Sequence, residues 1–119
     1  MSSRTIIQFN QETDVMPTVE AWAKANGYKK VASDSPGQRY KKGSGLMVAP
    51  TIFEASQDQG QVTFTAWVSA NLLARSGALF MIPAEMKIES GGFAMNLPRK
   101  TARKAVNKLL SELGQPALE

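Results

Sequence analysis

A chain of 119 residues with net charge +4, 43% apolar and 20% charged residues has the size and balance of a single domain spanning residues 1–119, and excludes a fibrous or wholly disordered chain. It holds no histidine and no cysteine, which removes the neutral-pH proton shuttle, the thiol nucleophile, the softer metal ligands and every disulfide. The expectation is a noncatalytic cytoplasmic protein without metal or cofactor: no run reaches the roughly 18 to 20 apolar residues of a membrane span, and the first ten residues turn polar too early for a signal peptide.

Thr5 to Asn10, short and β-branched, predicts a first strand. Thr13 or Asp14 then caps a helix that carries Pro17 in its first turn, Glu20 beyond it and Gly27 after its end. Val15, Val19, Trp22 and Ala23 recur at spacings of three and four, so this helix lays its tryptophan against a sheet.

From Tyr28 to Phe64 the rhythm shortens, and turn clusters at Ser35-Pro36-Gly37, Gly43-Ser44-Gly45 and Asp58-Gln59-Gly60 separate hairpin strands. Leu46 to Ser56 predicts one strand, with Pro50 marking an edge, a bulge or a break. Gln61 to Val68 predicts the clearest one: Val62, Phe64, Ala66 and Val68 alternate with Thr63, Thr65 and Trp67. After a less regular stretch, Ala84 to Glu89 alternates through Met86 and Ile88, and Ser90-Gly91-Gly92 turns the chain toward Phe93–Asn96. Pro98 opens a last helix that Gly114 and Pro116 close, with Ala102, Ala105, Val106, Leu109, Leu110 and Leu113 as its inward stripe. Leu118 and Glu119 receive no role.

Segregated strands between two helices predict an α+β domain, a single antiparallel sheet of about five strands with both helices on one face. The order β-α-β-β-β-β-α is similar to the TATA-box-binding-protein-like layout; a helix-grip arrangement is the alternative. Asn26-Gly27-Tyr28, Gly37, Arg39-Tyr40, Lys42-Gly43, Gly45, Ala66-Trp67 and Pro98-Arg99 through Asn107-Lys108-Leu109-Leu110 resemble small bacterial domains of unknown function. That resemblance implies no activity and supplies no catalytic residue.

The cations cluster. Arg99, Lys100, Arg103, Lys104 and Lys108 occupy the last helix, and Lys29, Lys30, Arg39, Lys41 and Lys42 crowd the second and third strands. Positions 100, 104 and 108 form one ridge opposite the leucine stripe, while Arg99 and Lys100 stand at the helix end where the dipole disfavours cations. Arg39, Tyr40, Lys41 and Lys42 interleave an aromatic ring with cations, as base stacking requires. These nine residues (Arg99, Lys100, Arg103, Lys104, Lys108, Arg39, Tyr40, Lys41, Lys42) are the candidate surface for an anionic partner, an acidic protein or a nucleic acid. A lysine-rich face also serves as ordinary solvated surface, and six methionines admit a third reading, an apolar-ligand carrier beneath the last helix.

Catalytic patterns are absent. Gly43-Ser44-Gly45 lacks the remaining residues of a dinucleotide or phosphate loop, and Gly91-Gly92 stands too far ahead of the helix to cradle an anion. Glu85 and Glu89, four apart on a strand, stand about 13 Å from one another, too far for paired-carboxylate work. Glu12 and Asp14 read as helix-start residues.

Overall fold

The computed structural model describes residues 4–32, 37–43, 50–69, 85–86, 88 and 96–118, with only the backbone of 69, 85, 86 and 96–99. Among these residues, six strands and two helices follow in chain order: β1 (Thr5–Asn10), α1 (Met16–Ala25), β2 (Lys29–Val31), β3 (Gln38–Lys42), β4 (Thr51–Asp58), β5 (Gln61–Ser69), β6 (Glu85–Met86) and α2 (Asn96–Glu112). All pairings are antiparallel, in the order β1-β5-β4-β3-β2, and the short β6 pairs with β5. Because Val68 is opposite both Thr51 and Met86, β6 extends the sheet on the β1 side of β5. This is the α+β single-sheet class expected from the order of elements.

Alternation along β5 and β4 creates the two faces. Val62, Phe64, Ala66, Val68, Phe53 and Ala55 point to one side and are buried there with Val19, Trp22 and Ala23 of α1 and Ala102, Val106, Leu109 and Leu110 of α2. Burying each of the larger side chains is worth roughly 1.5 to 3 kcal/mol, which is why two amphipathic helices share this face. Trp67, one residue out of phase with that set, is buried on the opposite face beneath the guanidinium of Arg4, 3.6 Å from its ring centre.

Both helices stop where their glycines predict. Gly27 and Gly114 have φ of 79° and 71°, and the next residue reaches back to close the final turn: Tyr28 N–H donates to the Ala23 carbonyl and Gln115 N–H to the Leu110 carbonyl, each at 2.8 Å. A left-handed residue followed by such a bond satisfies a carbonyl that the helix end would otherwise leave open. Pro98 falls in the first turn of α2, which begins at Asn96.

The start of α1 departs from expectation. Val15 occupies the cap position, without a side-chain cap, and Asp14 Oδ1 accepts from Met16 N–H at 3.0 Å. The orphan donor of Val15 goes instead to Gln57 Oε1 in β4, at 2.9 Å. Gln57 Nε2 in turn donates to the carbonyls of Gln11 and Thr13, at 3.0 and 2.9 Å. One amide thus ties the β1–α1 connection to the sheet from a position 42 residues further on, a partner no local capping rule finds.

β4 begins at Thr51, immediately after Pro50, and runs to Asp58, where Gln59 and Gly60 form a two-residue hairpin loop, both at positive φ. Of the Ala84–Glu89 strand, Glu85–Met86 is paired among the described residues. The turns at Ser35-Pro36 and Ser44-Gly45, the start of the Leu46–Ser56 strand, and Ser90 to Met95 lie outside the described residues. Leu118 exchanges two hydrogen bonds with the Asn107 side chain, at 2.7 and 3.2 Å, and packs against the core.

Removing the Gln57 amide strands one backbone donor and two carbonyls. Gln57→Ala is expected to lower unfolding free energy by about 1 to 3 kcal/mol in a urea titration, with far-UV circular dichroism unchanged.

Candidate anion-binding surface

The outward side of α2 follows from its period. With Ala102, Ala105, Val106, Leu109 and Leu110 buried, Lys100, Lys104 and Lys108 are left exposed on one line, spanning about 12 Å of helix axis. None of the three makes an ion pair or a hydrogen bond among the described residues. The only acid of α2, Glu112, stands at its C-terminal end, and no acid stands in its first turn. The helix therefore carries cations toward its positive pole and an anion at its negative one, an inversion that costs a few tenths to about 1 kcal/mol per charge near the ends.

Arg103 is placed differently. It is half-buried and donates from Nη1 to the Ile88 carbonyl at 3.2 Å, while Ile88 N–H donates to Thr5 Oγ1 at 3.0 Å. This cation clamps the residue 88 segment between α2 and β1. Arg99 lies in the first turn of α2, and its side chain is outside the described residues.

The hairpin residues do not gather on one surface, because strand alternation sends Arg39 and Lys41 to the helix-free face and Tyr40 and Lys42 to the other. Arg39 pairs with Glu54 and stands 5.9 Å from the Trp67 ring centre. Lys41 lies in a cross-strand row with Ile52, Trp67 and Lys29. Lys42 reaches the end of α1, its Nζ 5.9 Å from the Tyr28 ring centre. Tyr40 is only 3% exposed and belongs to the core, so its ring offers no stacking platform. The helix ridge and the Arg39–Lys41 pair thus sit on opposite sides of the sheet. Lys30, in line with Tyr40, pairs with Glu20 of α1 at 3.1 Å.

Arg4 and Trp67 were legible only separately in the sequence. Their contact depends on the β1–β5 register, which places residue 4 across from residue 67. An open groove of about 680 Å³ runs between the helices, lined by Pro17, Ala21, Trp22, Asn26, Lys108 and Glu112 among others. It faces outward, whereas the buried side chains of α2 meet the sheet directly. Among the described residues there is no cluster of acids able to hold a metal, and no helix long and apolar enough to cross a membrane.

Comparison of the chain with known families, characterised proteins and solved structures finds no match in any of the three.

Burial pushes the Tyr28 hydroxyl pKa well above its ordinary value, and burial followed by the nearby Glu20 carboxylate raises that of Tyr40, whose hydroxyl has no hydrogen-bond partner among the described residues. Both folded-state values exceed the unfolded one, so the stability they contribute is whole below about pH 10 and is lost as pH rises from there. The melting temperature is expected to fall on going from about pH 9 to about pH 11, and less steeply in Tyr40→Phe; a flat profile contradicts the assignment. At neutral pH, Tyr40→Phe is expected to hold or raise stability by up to roughly 1 kcal/mol, since it removes an unsatisfied buried hydroxyl.

Proposed function

We infer that this chain is a noncatalytic binding module that docks an anionic partner on the Lys100–Lys104–Lys108 ridge. The observation that carries this reading is three exposed lysines in line, without ion pairs among the described residues, on a helix whose dipole gains nothing from them. Cations kept where they do not aid the fold are available to neutralise charge on a partner. The net charge of +4 adds a weaker, long-range attraction of the same sign. The acceptor is a row of carboxylates or phosphates spaced along about 12 Å, as an acidic protein segment or a nucleic-acid backbone presents. Lys108 extends the ridge to the groove beside α1, where Asn26 adds a neutral polar group.

Folding and binding pull in opposite directions at Lys100, which separates the two in one experiment. Replacing Lys100, Lys104 and Lys108 together by Glu is expected to abolish retention on a heparin column while leaving the melting temperature unchanged or higher, because anions near a helix N-terminus are favourable. Equal retention of the triple variant, or equal loss from replacing Lys29 and Lys41 on the other face, overturns the reading.

A further inference from the structure

The two margins of the sheet differ in chemistry. β2, at one margin, carries Lys29 and Lys30 and is exposed throughout. β1, at the other, reads Thr-Ile-Ile-Gln-Phe-Asn: uncharged, without glycine or proline, and rich in strand-forming residues. Its apolar side chains are incompletely covered. Ile6 is 57% exposed on the helix-free face, and Ile7 and Phe9 are only partly buried on the helix face. Exposed strand edges attract other strands, and lysines are a common means of blunting them. This chain blunts one edge and leaves the other plain.

The direction of the free backbone groups follows from one bond. Gln11 N–H donates to the Gly60 carbonyl at 2.7 Å, and residues 11 and 60 continue the β1–β5 register. Odd-numbered residues of β1 are therefore the hydrogen-bonded pairs with β5, and Ile6, Gln8 and Asn10 turn their N–H and C=O groups outward. Among the described residues no strand pairs with that side of β1.

We propose that β1 is a self-association edge, on which a second copy of this chain pairs antiparallel about a two-fold axis at Gln8. In that register Gln8 faces Gln8 of the second copy and Ile6 faces its Asn10, so each outward pair exchanges both of its backbone bonds. Even residues face even residues, so the helix faces of the two sheets coincide and Ile7 meets Phe9, an aromatic and β-branched pair of the favoured kind. A register centred on Ile7 makes fewer of these bonds and runs toward Thr5, whose side chain holds the residue 88 segment. The second copy is the fitting occupant because β1 has no charge to repel its own image, whereas β2 set against β2 brings lysines together. One plain edge and one blunted edge per chain give a closed dimer and no fibre.

Sedimentation velocity of the full chain over a wide micromolar range tests this. The wild type is expected at twice the chain mass, with dimer held or strengthened by added salt, since two chains of like net charge repel. Gln8→Lys and Gln8→Glu each place like charges across the axis and are expected to sediment as monomers with unchanged circular dichroism and melting temperature. Mixing the two variants is expected to restore the dimer. A wild type that stays monomeric, a Gln8→Lys variant that stays dimeric, or a mixture that stays monomeric overturns the proposal.

Discussion

Trp22 is the side chain on which the assembly of this domain turns. Its indole N–H donates to the Ala105 carbonyl across 83 residues of sequence, at 2.7 Å inside the core, and so joins α1 to α2. Its ring stacks on Tyr28, centroids 4.9 Å apart, and tilts against Phe53 at 4.8 Å. Phe53 continues to Phe64 and Phe64 to Phe9, so an unbroken line of rings runs from the end of α1 across β4 and β5 to β1. Each contact adds about 0.5 to 1.5 kcal/mol beyond area burial. Both helices and the central strands are thereby referred to one residue, whose only polar atom is satisfied.

That interior leaves charge to the outside, and the outside is not uniform. Where the sheet carries cations next to acids they pair, as in Arg39–Glu54 and Lys30–Glu20. Among the described residues the three lysines of the α2 ridge make no ion pair. Arg4 over Trp67 is a third arrangement, in which a cation covers a ring that alternation has placed on the helix-free face. The functional reading rests on this contrast between paired, stacked and unpaired cations.

Much of the fold was legible because it depends on local rules. Period-two alternation marked β5, period 3.6 marked both inward stripes, and Gly27 and Gly114 marked the ends of helices. Positions that depend on register or on distant partners were not. Gln57 looks like any polar strand residue until the loop from Gln11 to Val15 lies against it. Tyr40 looked accessible among its lysines, yet alternation in β3 sends it into the core while its neighbours face out. The same alternation divides the hairpin cations between two faces, so only part of the nine-residue candidate surface shares a side. Lys100, Lys104 and Lys108 were readable because a helical ridge needs only spacing.

The most direct test of the central claim is amide NMR of the labelled protein during titration with a short polyanion at low salt. Shifts clustered along the outward residues of α2 from Lys100 to Lys108, fading as salt is added, are what the account predicts. Shifts clustered instead on Ile6, Lys29, Lys41 and Trp67 of the helix-free face contradict it.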